Sequence, residues 1–125
     1  MPKNTQKAPK DGLVYFISYA QFKQGRPNHK MLGKVNFITT DETEDMLYMY
    51  ETEKGFARVL PLNGLGKNIK IEVYEMKEDK LIELCKTLRL DSCIITTKQG
   101  YTGFILTDQP FTNSLNLQKG CIDDC

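Results

Sequence analysis

Residues 69–90 pass from one hydrophobic period to another with almost no break, and this switch constrains the fold more than any other stretch. From Ile69 to Met76 polar and apolar residues alternate, with Ile69, Ile71 and Val73 on one face and Lys70, Glu72 and Tyr74 on the other. A period of two is that of a strand buried on one side. From Glu78 to Leu90 the apolar residues Leu81, Leu84, Cys85 and Leu88 recur at i, i+3, i+4 and i+7. That stripe predicts an amphipathic helix over residues 78–90, pressed on a sheet through its apolar side.

The rest of the chain reads mostly as strands. Leu13 to Phe22 is rich in β-branched and aromatic residues, and Leu32 to Thr39 follows after a Gly/Pro loop at residues 24–28. Met46 to Tyr50 reads as a strand hairpinned onto Phe56 to Leu60, with a helix capped by Asp41 as the rival for residues 41–50. Gly64-Leu65-Gly66 precedes a strand rather than a helix, so it reads as a turn and not a phosphate cradle. Cys93 to Thr97 and Thr102 to Thr107 form a last hairpin. The expected class is α+β, a mainly antiparallel sheet of six or seven strands with one helix on a face.

A chain of 125 residues makes one domain the default. Residues 1–11 read as a flexible basic arm, 12–110 as the α+β domain and 111–125 as an irregular tail. No apolar run approaches the roughly 18 residues that span a bilayer, and the N-terminus lacks the apolar core of a secretion signal. A cytoplasmic setting without membrane contact is the expectation, and the four cysteines are then expected as free thiols.

Signs of catalysis are sparse. His29 is the only histidine and sits in a polar loop. No Gly-x-Ser-x-Gly, His-Glu-x-x-His or phosphate-binding loop is present. The carboxylates at Asp41-Glu42 and Glu44-Asp45 crowd where water is expected, and solvated carboxylates make poor general acids at neutral pH. Cys121 and Cys125 offer one thiol pair at the chain end, while Cys85 and Cys93 fall on apolar faces, so neither metal nor cofactor is expected. The expectation is a binding protein that is not an enzyme.

Net charge is only +1, but its distribution is uneven. Residues 1–38 hold seven Lys/Arg and one acid, and residues 39–53 hold six acids and no base. The first block suggests phosphate contacts through Lys3, Lys7, Lys10, Lys23, Arg26, Lys30 and Lys34, with Tyr15, Phe56 and Arg58 set to stack on bases of single-stranded nucleic acid. Lys54-Gly55-Phe56-Ala57-Arg58-Val59 resembles the central strand motif of the RNA recognition motif family, and Leu62 to Val73 resembles its closing segment. Arg58 stands where that family has a second stacking aromatic, the two stretches leave no room for the family's second helix, and no first helix is evident after the opening strand. Thr96 to Tyr101 is similar to a hairpin of phage and plasmid primase-polymerases, but Thr102 replaces the expected histidine and no Asp-x-Asp pair exists. The basic block and the aromatics suggest a nucleic-acid-associated protein, and the usage of Lys, Asn, Ile and Thr, the small size and the lack of motifs suit a phage or mobile-element type. The alternative is a protein-binding or inhibitor module in which Glu42, Glu44, Tyr48 and Tyr50 meet a basic protein partner. Opposite charges on one small domain leave self-association open.

Overall fold

The structure is a computed structural model that describes residues 9–26, 28–51, 57–60 and 66–107. Seven strands and one α-helix are seen: β1 (Leu13–Ser18), β2 (Asn36–Glu42), β3 (Tyr48–Glu51), β4 (Ala57–Leu60), β5 (Lys70–Lys77), α1 (Glu78–Leu88), β6 (Asp91–Thr96) and β7 (Thr102–Thr107). Five strands form a mixed sheet in the order β2-β5-β1-β7-β6, and β3-β4 make a second small sheet. Only β1 and β7 run parallel, with Phe16 opposite Phe104. The α+β class expected from the sequence is the one observed.

β1 is the central strand. Its run from Tyr15 to Ser18 is buried throughout, as a strand covered on both faces must be. On one side the Tyr15 ring meets Tyr101 edge-on at 5.0 Å. On the other, Phe16 meets Phe22 at 6.4 Å. Gly103 of β7 lies against Tyr15 and Ile17, with room for no side chain between them.

Helix α1 follows β5 directly and packs on β1 and β5. Leu81 and Leu84 are buried, together stabilising the fold by about 3–6 kcal/mol. Glu78 and Asp79 sit in the first turn, where negative charge suits the helix dipole. Arg89 ends the helix in the left-handed region (φ 56), and the Leu90 amide then bonds the Cys85 carbonyl at 3.0 Å.

Two boundaries differ from the sequence reading. β1 stops at Ser18, four residues early, because the chain turns through a 3-10 segment, Ala20–Phe22. β2 starts at Asn36 because a second 3-10 turn occupies His29–Leu32. The hairpin expected around residues 46–60 forms as β3-β4 rather than as a helix.

The first turn anchors the small sheet. The buried Gln21 amide donates to the Ala57 carbonyl at 3.0 Å and accepts from the Ala57 amide at 3.1 Å. Replacing Gln21 by Ala strips a buried backbone N–H of its partner, so a loss of about 2 kcal/mol is expected in chemical denaturation, with an unchanged m-value.

The five-stranded sheet curls until its edges meet at one end. Thr43, just past β2, bridges Thr97, just past β6. The Glu44 amide bonds Thr96 O and the Lys98 amide bonds Glu42 O, both at 2.9 Å. The β6–β7 hairpin tip therefore rests on the end of β2.

Candidate functional site

The curled sheet leaves a cleft of about 570 Å³ beside the end of β1, lined by Lys23, Thr40, Asp41, Glu42, Lys70, Ile71, Glu72, Lys98 and Gln99. Register explains how these residues meet. β2 and β5 run antiparallel with Thr40 opposite Glu72 and Glu42 opposite Lys70. Side chains directly opposite share a face, so Lys70 and Glu72 of β5 join Thr40 and Glu42 at the cleft, while Val73 stays in the core and Ile71, though buried, reaches the cleft wall. The hairpin tip supplies Lys98, whose ammonium is 2.6 Å from Glu42 Oε1, and Gln99, whose amide donates to Thr40 O at 2.9 Å.

Glu72 is the most constrained acid in the cleft. Its Oε1 accepts from the Gln24 amide at 2.9 Å and from the Tyr74 hydroxyl at 2.8 Å. Both donors land on one oxygen, so Oε2 has no protein donor among the described residues. A carboxylate held through one oxygen and open at the other is oriented to accept a proton or a cationic group. Tyr74 is itself wedged between His29, at 5.5 Å, and Phe37, at 5.6 Å.

The turn after β1 borders this carboxylate. Ser18 lies opposite Glu72 in the β1–β5 register. Its hydroxyl is fully buried and has no hydrogen-bond partner among the described residues. Two residues on, Ala20 is buried with φ 47, a region that a residue with a Cβ rarely enters. The strained residue and the orphaned hydroxyl beside an oriented carboxylate single out this end of β1 as the candidate site.

Burial pushes the Tyr74 hydroxyl well above the ordinary tyrosine value, and the hydrogen bond and charge of Glu72 add to it. Tyr15 moves the same way, through burial first and then Glu75 and Tyr101. Both rings bind their protons more tightly folded than unfolded. Their contribution to stability is complete below about pH 10 and is lost as pH rises above it, because the unfolded chain ionises first. Urea midpoints taken from pH 9 to 11 should therefore fall, and Tyr74→Phe should flatten that fall.

The thiols do not join this chemistry. Burial raises the Cys85 thiol, against a hydrogen bond from Ser92, and Asp91 raises it further. Cys93 is raised by burial and by Asp45. Protonated, part-buried thiols are weak nucleophiles and weak ligands. Cys121 and Cys125 lie outside the described residues.

Among the described residues, those expected to bind nucleic acid stand at separate places in the fold. Tyr15 is sealed in the core at 5% exposure. Lys23 lines the cleft at one end of β5, while Lys34 lines a separate recess at the other end with Asn36, Glu75 and Lys77. The Lys10 amide bonds Glu75, Arg26 follows the first 3-10 turn and Lys30 sits in the second. Arg58 folds back on the Ala57 carbonyl at 2.9 Å. Lys3, Lys7 and Phe56 lie outside the described residues. The two stretches resembling the RNA recognition motif fall in different sheets, Arg58 and Val59 in β4 and Ile71 and Val73 in β5. The expected protein-binding hairpin fares no better as a display. Tyr48 and Tyr50 are 7% and 0% exposed, Glu42 is committed to Lys98, and Glu44 stands exposed beside Asn68. His29, expected in solvent, is half-buried, with Nδ1 at 3.0 Å from Phe22 O.

Glu72, Tyr74, Lys70 and Lys98 are candidate site residues that the sequence reading does not single out. The signal was present in the alternation of residues 69–76, whose polar face carries Lys70, Glu72 and Tyr74. Among the described residues no helix is long and apolar enough to cross a membrane.

This arrangement of curled sheet, single helix and turned β1 is the fold of AIG2-like proteins, and it recurs inside larger hydrolases. An AIG2-like (GGACT) protein from Mus musculus is similar over 90% of this chain and 88% of its own, at 18% identity and a TM-score of 0.77. A uropathogenic E. coli-specific protein matches over 86% and 85%, at 11% identity and a TM-score of 0.70. Allophanate hydrolase from Kluyveromyces lactis matches over 81% of this chain at 17% identity and a TM-score of 0.66, but the chain spans only 18% of that protein's length. No family model and no curated protein matches the chain. The likeness corrects the expectation of a non-catalytic, phage-type nucleic-acid binder or inhibitor module, because the fold is one that enzymes carry.

Proposed function

We propose that the chain is an enzyme of the γ-glutamylcyclotransferase type, acting on a small polar amide in the cleft beside β1. The observation that carries the reading is the carboxylate of Glu72, fixed through Oε1 by Gln24 and Tyr74 and open at Oε2. The likeness to the AIG2-like protein over nearly the whole of both chains supports it.

In such a reaction the α-amine of a γ-glutamyl group attacks its own γ-carbonyl. A C–N bond forms, closing a five-membered lactam, and the amide C–N bond breaks. The attacking ammonium loses two protons and the leaving amine gains two. Glu72 Oε2 carries them in turn, accepting from the first nitrogen and returning to the second. Closing a ring within one bound molecule needs mainly the right conformer and a proton carrier, both within reach of a small domain.

The test is direct. Purified protein is incubated with a panel of γ-glutamyl amides, and the lactam 5-oxoproline is measured by mass spectrometry. Turnover that disappears in Glu72→Gln supports the reading. Turnover that persists undiminished in that variant, or no turnover across the panel, overturns it.

A further inference from the structure

We propose that Lys70 sets the specificity of the cleft by holding a carboxylate of the substrate, so that only substrates bearing that group bind well. The inference rests on the cleft's being the substrate site, and it adds to that reading the residue that selects the substrate.

Lys70 and Glu72 are two apart on β5, so their side chains leave the same face about 7 Å apart along the strand. Lys70 stands opposite Glu42 in the β2–β5 register. Its natural partner is already taken, since Glu42 is ion-paired with Lys98 at 2.6 Å. Lys70 has no ion pair among the described residues and projects exposed into the cleft. Glu72, with no donor on Oε2 among the described residues, lines the same space. The pair offers a positive and a negative group side by side, fixed to one rigid strand. A carbon bearing both an amine and a carboxylate spans such a pair, with the amine at Glu72 and the carboxylate at Lys70. The reacting nitrogen is then set by its neighbour's charge.

A charge-assisted contact of this kind, in a cleft open to water, is worth roughly tenfold in affinity. Full-length protein is titrated by calorimetry with 5-oxo-L-proline and with its carboxamide, and the γ-glutamyl amides are compared in turnover with their α-carboxamide forms. The wild type should prefer the carboxylate about tenfold, and Lys70→Gln should bring the two within about twofold, with KM raised and kcat kept. Lys70→Arg should restore the preference. Lys34→Gln, in the recess at the other end of β5, should leave the preference intact. A preference that survives Lys70→Gln, or none in the wild-type protein, overturns the inference. Lys70-dependent binding of the carboxylate without turnover of any amide supports the inference and sinks the reaction assigned to the cleft. Turnover abolished by Glu72→Gln but indifferent to Lys70 does the reverse.

Discussion

Glu72→Gln should lower kcat by about 10²–10⁴-fold, the usual share of a positioned proton carrier, while the protein stays folded. The substitution keeps the shape of the side chain. A glutamine oxygen still accepts from Gln24 and Tyr74, so the geometry at 2.9 and 2.8 Å survives and only the charge is lost. Stability should fall by no more than about 1 kcal/mol, the difference between a charged and a neutral acceptor. KM should rise modestly, because Glu72 also holds the substrate's amine, but the larger loss should fall on kcat, since proton transfer belongs to the transition state. Steady-state kinetics with a thermal melt on the same sample separates the two effects. A variant that melts early and loses activity in proportion would assign Glu72 to the fold instead.

Gly66→Ala should be the most destabilising single methyl in the described chain, at about 3 kcal/mol or more, or roughly 10 °C in Tm. Gly66 sits at φ 104, and an added Cβ would overlap the Leu47 carbonyl and come within 2.7 Å of the Tyr48 amide. Those neighbours are backbone and are held by the bridge between Leu47 and Lys67, at 2.8 and 2.9 Å, so neither can yield. Gly25 provides the comparison. It also has positive φ, 78, but nothing lies within 4 Å of its added Cβ. Gly25→Ala should cost about 1 kcal/mol, the conformational part alone. The gap between the two measures the collision at Gly66. Equal losses would mean that the Leu47 backbone gives way.

The elements with a strong period were legible. The alternation of residues 69–76 and the stripe from Leu81 to Leu88 became β5 and α1 within a residue or two. The hairpins were legible from their turn residues. What the sequence hid was how β1 ends. Tyr19 and Phe22 continue its aromatic pattern, yet Ala20 adopts a conformation usual for glycine, and no composition rule expects that of alanine. The aromatics misled for a related reason. A tyrosine carries the same letter whether it stacks on a base or donates to a carbonyl, as Tyr19 does to Leu106 O at 2.9 Å. Charge blocks misled through register, since neighbours in sequence such as Lys23 and Lys34 serve opposite ends of one strand. The site was half visible. Its acid and its cation lie on the polar face of β5, but the hairpin tip that brings Lys98 to Glu42 spans 56 positions, a pairing that only tertiary closure creates.

The place of β1 between β5 and β7 has a consequence for how the molecule is made. Among the described residues β1 is the earliest strand, and it is flanked by β5 from the middle of the chain and by β7, the latest of the described strands. Until residues 102–107 appear, a mostly apolar ribbon has an open flank. That flank stays open to wrong partners until β7 has been made, and shortened products ending before residue 102 are natural targets for aggregation or degradation.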